Sequence, residues 1–235
     1  MERSDVVRQL HERLGPVTLS RDQLLDVPKP LLPLFPFGGL PKGFIVGFEG
    51  AGSWSVAMSM AATVMGDHGW MGIVGIEEFG LVAAAELGVD LNRVLVVESP
   101  ASSRLAPAMG ALLEAVDVLI VKPRRLIGAE PARRIKAKAT EKGRLVFHLD
   151  GARQWPTTPD IVVRSISQRW EGLDDGHGHL RHRHLDLVAH GRRSAARGRS
   201  TSIIVPGPHG GLATSPPINH SAPAPSAPKL PTKVA

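Results

Sequence analysis

Five short apolar runs separated by helix-forming segments constrain this chain more than any other feature. The runs are "FIVGF", "WMGIVGI", "RVLVV", "VDVLIV" and "RLVFHL", all between Gly43 and Leu149. The segments between them are "WSVAMSMAATVM", "LVAAAEL", "RLAPAMGALLEA" and "PARRIKAKATEK". An apolar run without alternation is a strand buried on both faces, and a connection long enough to hold a helix joins parallel strands. The region reads as an α/β domain with a mostly parallel sheet and helices on both faces.

Beyond Asp150 the pattern changes. "DIVVRSISQRW", "HLRHRHLDLVAH" and "TSIIV" read as strands joined by turns, an antiparallel extension of the main sheet. The folded core then spans residues 36–205. In residues 1–35, Val6, Val7, Leu10 and Leu14 fall on one face of an amino-terminal helix, which either packs on the chain's own core or is an arm that docks on another protomer or partner. The connector after it, "VPKPLLPLFPFGGLPKG", has prolines every two or three residues and is expected to be non-helical. Residues 206–235 are rich in Pro, Ser and Ala. With few large apolar side chains to offset ordering entropy, they are expected to form a disordered tail.

Hydrophobic residues make up 43% of the 235-residue chain, enough for one sizeable core. There is no cysteine, so disulfides and thiolate metal sites are excluded. No stretch reaches the roughly 18 apolar residues of a membrane span, and the opening residues lack the apolar stretch of a signal peptide. A cytoplasmic location is the expectation. The net charge of +6 favours polyanionic partners without naming one.

"GFEGAGSWS", Gly47 to Ser55, stands where a phosphate-binding loop belongs, between the first apolar run and a helix. A competent loop reads G-x-x-x-x-G-K-[ST]: the glycines turn backbone N–H groups inward, lysine neutralises the phosphates and the hydroxyl ligates magnesium. Gly47 and Gly52 keep the frame, with Glu49 inside it, but Ser53 replaces the lysine and Trp54 the hydroxyl. No Lys or Arg lies between Lys42 and Arg93 to rescue the charge. The run "VDVLIVKP" should end in a magnesium-holding Asp, and Lys122 stands there instead. Asp117 opens that strand, at the wrong end. These losses argue against ATP hydrolysis and against tight binding of ATP with magnesium, so no catalytic residue and no cofactor are expected. Taken alone, the frame also suits an ordinary glycine-rich strand-to-helix turn. "GAGSWS" is not the G-x-S-x-G nucleophile elbow either.

The surrounding residues carry a resemblance. "FGGLPKGFIVGFEGAG", "AAAELGVDLNRVLVVESP" and "LLEAVDVLIVKP" resemble, in order and spacing, the core of the RecA recombinase across Phe37 to Val121. That implies a RecA-like P-loop-type core. With the emptied loop, Lys122 and the ending "RWEGLDDGHGHLRHRHLDLVAHGR", the chain resembles the actinobacterial RecA-like mutasome accessory family ImuA-prime, within the RecA/SulA-like superfamily. This resemblance implies a non-catalytic scaffold in the SOS response, supporting DNA repair by translesion synthesis and induced mutagenesis. Its implied partners are an ImuB-like inactive Y-family polymerase homologue and an error-prone replicative-type polymerase. Glu77 or Glu78 falls near the glutamate that activates water in RecA, and without nucleotide both read as turn residues. RecA carries DNA-binding loops after its fourth and fifth core strands. Here "GARQWPTTP" is short for such a loop, and "KPRRLIGAEPARR" is compact but basic. Two rival readings are an ATP-binding RecA-like DNA-binding regulator and a SulA-like cell-division inhibitor.

Lys122, Arg124, Arg125, Arg133, Arg134, Lys136 and Lys138 form a dense cationic segment, with Arg192, Arg193, Arg197 and Arg199 as a second. Either is a solvated face or a surface for a nonspecific DNA backbone or an acidic partner. On a helix from about Pro131, the cations spread around the circumference and Ile135 and Ala139 remain to pack. "HGHLRHRH" suggests zinc through His177, His179, His182 and His184, with Asp174 or Asp175. Strand alternation instead puts His182 and His184 on one face and Arg181 and Arg183 on the other, and no metal is expected.

Overall fold

The computed structural model describes residues 20–76, 79–98, 101–122, 127–149, 155–174, 177–191 and 198–218. The amino-terminal helix read from Val6 to Leu14 lies outside the described residues.

Strands β1 (Leu24–Leu25) and β2 (Leu40–Pro41) pair as a small antiparallel ribbon. The connector between them is a structural part of the core. Lys29–Leu34 forms a 3-10 helix in which Leu31 N–H reaches Pro28 O at 2.8 Å, and Phe35 N–H then closes on Leu32 O at 3.0 Å. Prolines forbid an α-helix here. The tighter turn is tolerated because Pro30 stands in its first turn, where no N–H is needed, and the Pro30 carbonyl that Pro33 cannot serve accepts from the Thr201 hydroxyl at 2.9 Å. Leu31, Leu34 and Phe35 are buried beneath it, which corrects the expected non-helical linker.

The main sheet has nine strands in the order β11-β10-β9-β8-β3-β7-β6-β4-β5. Its parallel part comprises β3 (Ile45–Glu49), β4 (Met71–Val74), β5 (Val94–Val97), β6 (Val118–Val121), β7 (Leu145–Leu149) and β8 (Ile161–Asp174). Strands β9 (His177–Gly191), β10 (Arg199–Val205) and β11 (Ala213–Thr214) extend it antiparallel. The molecule is a mixed α/β protein with a mostly parallel sheet, as the apolar runs predict. One strand changes class: β8, expected in the antiparallel extension, runs parallel to β3 and antiparallel to β9. The segment before it is long enough to cross over, and Trp155 anchors that crossover at 2% exposure.

Side chains alternate between two cores. On one face, Val46, Phe48, Ile73, Ile120 and Phe147 meet α1 (Ser53–Met65) through Val56 and Met60. Phe48 and Phe147 stack edge to face at 5.1 Å. On the other face, Leu119, Val121 and Val146 meet α3 (Ser102–Ala115) and α4 (Ala129–Lys142) through Met109, Leu113 and Ile135. A short α2 (Leu81–Glu86) adjoins α1. Each large aliphatic side chain buried this way contributes about 1.5–3 kcal/mol.

The chain stays packed past Pro206. Asp186 accepts hydrogen bonds from Ser167 and Ser202 hydroxyls, both at 2.6 Å, and from Ile218 N–H at 3.2 Å. Ser215 is 6% exposed and its hydroxyl meets His184 Nδ1 at 2.9 Å. The expected disordered tail is thus corrected through Ile218, because polar pins hold it together with Leu212, which packs against the first core, and the pairing of β11 with β10. Residues 219–235 lie outside the described residues.

Candidate functional site

Gly47 to Ser55 form the turn from β3 into α1. Gly50 and Gly52 sit at φ 85° and 77°, the left-handed region that glycine enters without strain. A Cβ on Gly50 would meet Ser165 O at 2.6 Å, and one on Gly52 would meet Leu185 Cδ1 at 2.7 Å. The glycine frame therefore serves close packing against β8 and β9. Ser53 N–H is taken by Gly50 O at 3.3 Å. Trp54, in the first turn of α1, stands edge to face on Phe79 at 5.6 Å and packs partly buried against the first core. Glu49 turns to the other face, where Arg164 Nε donates to it at 2.8 Å and Nη2 at 2.6 Å.

Lys122 follows β6, with its backbone N–H on Val74 O at 3.2 Å. It is not beside the turn: β7 separates β6 from β3, and in register His148 lies between Val121 and Gly47. That histidine is a residue the sequence reading missed, although a lone His in "RLVFHL" is its visible signal. Its ring stacks on Trp155 at 5.8 Å and 7°. Its Nε2 has no hydrogen-bond partner, and a Cβ on Gly47 would meet that atom at 3.1 Å. Burial pushes its pKa down to about 4, against a smaller upward pull from Glu49. It is a neutral, close-packed ring.

Arg183 is the second residue missed. The guanidinium comes from β9, far along the chain, and its Nη1 lies 3.4 Å from the Cβ position at Gly52. Its Nε donates to Gln168 at 2.9 Å, and its centre sits 5.2 Å above the Trp170 ring. Burial lowers its pKa. No cation lies near the loop along the chain between Lys42 and Arg93, and the pairing of β9 with β8 brings one from elsewhere.

A family model described as the MT3502 N-terminal domain matches residues 33–157, just over half of the chain. The chain belongs to the MT3502 N-terminal domain family. A relative in Mycobacterium tuberculosis (strain ATCC 25618 / H37Rv), the uncharacterised protein Rv3395c, is 34% identical over 121 residues. The match covers 51% of this chain and 57% of that relative's length.

The MT3502-type stretch contains the glycine turn, Lys122, His148 and α4, whereas Arg183 and the β8–β9 ribbon lie beyond it. Within α4 the candidate contact residues separate into two kinds. Arg133 and Arg134 are 70% and 78% exposed in their side chains and pair with Glu130 along the helix. Lys136 is committed inward: it donates to Gly43 O at 2.9 Å and to Asp160, and sits over the Phe44 ring at 5.4 Å. Its place among surface contacts is corrected for that reason. Lys138 bridges to Glu114 of α3 at 2.8 Å. Together with Lys142 it holds the Glu114 carboxyl down at about 2. Arg124, Arg125, Arg192, Arg193, Glu77 and Glu78 lie outside the described residues.

Two histidines of β9 serve the fold. His184 spans Ser215 and, through Nε2 at 2.8 Å, Glu171. His182 Nδ1 meets Pro206 O at 3.0 Å. Arg183 faces the other way, as strand alternation requires. No described helix is long and apolar enough to cross a membrane.

Proposed function

We propose that this protein is a catalytically silent, RecA-like scaffold acting in DNA-damage-induced translesion synthesis in the cytoplasm. Its partners would be an ImuB-like inactive Y-family polymerase homologue and an error-prone replicative-type polymerase. The process comes from the ImuA-prime resemblance carried by the loop at Ser53 and Trp54, Lys122 and the ending "RWEGLDDGHGHLRHRHLDLVAHGR", and the mycobacterial relative is consistent with an actinobacterial setting. The single observation that carries the loss of catalysis is the first turn of α1. Trp54 stands there against Phe79, where a phosphate loop needs a metal-binding hydroxyl, and Ser53 brings no charge. By residue type, Lys122 puts a cation where the motif would need a magnesium-holding Asp, with β7 between it and the turn. The deciding experiment is purification of the tagged protein from DNA-damaged cells. Recovery of the polymerase homologues supports the scaffold, and recovery of a cell-division protein alone refutes it.

A second reading, an ATP-binding regulator, is favoured by one observation: Arg183 brings a guanidinium to the glycine turn. On the scaffold reading that group is spent on Gln168 and Trp170 and grips no triphosphate. Calorimetry with ATP and magnesium should show no binding at micromolar nucleotide. A micromolar dissociation constant lost in Arg183→Ala would establish the rival.

A further inference from the structure

Helices α3 and α4 lie side by side over the second core and leave a trough of about 510 Å³ between them. Its lining includes Ala106, Pro107, Gly110 and Ile135, with Arg134 and Lys138 along the α4 side. Ile135 is 3% exposed and forms the floor. Arg134 stands largely in solvent and forms the rim. Three features make this trough unlike a merely uneven surface.

Gly110 is the first. A Cβ there would meet no heavy atom within 4 Å, so nothing inside the molecule requires glycine. A glycine in a helix interior is destabilising relative to alanine. What its missing side chain does provide is room for an approach from outside. Pro107 is the second: it sits inside α3, where it removes a helical hydrogen bond, and its ring lines the same trough. Charge is the third. α4 carries Arg133, Arg134, Lys136, Lys138 and Lys142 against Glu130 and Glu141. Since Lys136 is turned inward, Arg134 and Lys138 are the cations that line the trough, the first paired with Glu130 and the second with Glu114 of α3.

We propose that the α3–α4 trough is the docking site for an acidic amphipathic helix of a partner protein. Aliphatic side chains would enter over Gly110 and Ile135, and glutamates or aspartates would pair with Arg134 and Lys138. The cations are already held in place, Arg134 by Glu130 and Lys138 by Glu114, and an incoming carboxylate adds to those pairs rather than ordering loose side chains. A nucleic acid fits less well. Among the described residues the lining has an apolar floor and no aromatic ring on which a base could stack. The inference deepens the scaffold reading and rests on it for its biological setting.

The probe is a synthetic helical peptide with leucines on one face and glutamates on the other, compared with the same peptide carrying lysines. Binding to the full-length protein is followed by fluorescence anisotropy. The glutamate peptide should bind, the lysine peptide should not, and both Gly110→Leu and Arg134→Glu should weaken binding at least tenfold. Gly110→Leu should melt no lower than the parent, which separates a filled trough from a damaged fold. Arg134→Glu, a surface change, provides the second test. Equal binding of the glutamate peptide by parent and both variants overturns the proposal, as does no binding by the parent. Tighter binding of an oligothymidylate, lost in Arg134→Glu, overturns it in favour of a phosphate-backbone surface. In damaged cells, equal recovery of polymerases by parent and Gly110→Leu removes the trough and leaves the scaffold reading standing. If the parent recovers none, the scaffold reading fails, and peptide binding alone decides the trough.

Discussion

Two aromatic neighbours at the turn behave differently from what their sequence positions suggest. Trp54 occupies the position where a competent phosphate loop carries a hydroxyl, yet its energetic role is packing on Phe79 and the first core. Trp54→Ala should lower stability by about 2 kcal/mol, less than a fully buried tryptophan because the ring is only partly covered. A melting temperature lowered by roughly 5 °C is the expected readout. An unchanged value would show that the ring fills no needed space. His148 makes a pH prediction. Its folded-state pKa lies near 4 against an ordinary 6.5, so the folded protein holds the neutral ring and the unfolded chain takes up the proton first. Stability from this group is complete above pH 6.5 and is lost as pH falls towards 4, by on the order of 3 kcal/mol across the window. In His148→Leu the chemical-denaturation midpoint should depend less on pH within that window. A slope equal to the parent's would assign the effect to other groups.

At the scale of elements, α3 and α4 differ in how well they are built. α4 opens with Glu130 in its first turn and closes with Lys142 before Gly143 at φ 66°, a helix whose charges and cap agree with its dipole. α3 has Pro107 and Gly110 in its interior. Gly110→Ala should raise stability by about 0.5–1 kcal/mol, since the added methyl meets nothing and helix propensity improves. A loss of stability in urea denaturation would mean that the glycine serves internal packing after all. The glycine turn gives the opposite case: Gly50 and Gly52 have both positive φ and backbone or core atoms in the way, so alanine is excluded twice.

Over the whole molecule, the antiparallel extension is fastened by polar groups at long range. Asp186 and His184 hold the segment around Ser215, and Arg164 joins β8 to Glu49 of β3. A chain ending at Val205 loses β11 and leaves His184 without Ser215. It should be less stable by about 2 kcal/mol or more, measured as a lower denaturation midpoint. A midpoint equal to that of the full chain would show that the segment is an ornament. The same long-range wiring brings Arg183 to Gly52, and it separates Lys122 from β3 by the width of β7.

The apolar runs and their helical spacers were legible because burial on both faces and crossover length are local properties of the chain. The glycine turn was legible too, since Gly50 and Gly52 between an apolar run and a helix-forming segment mark a strand-to-helix turn. Strand order, the parallel pairing of β8 and the packing of residues 206–218 were not. Each depends on which distant segments meet, and hydrogen-bond pairing in a sheet is indifferent to sequence separation. His148 and Arg183 at the turn, and the trough over Gly110, belong to that second class. A side chain's charge is written in the chain, but its neighbours are chosen only when the sheet closes.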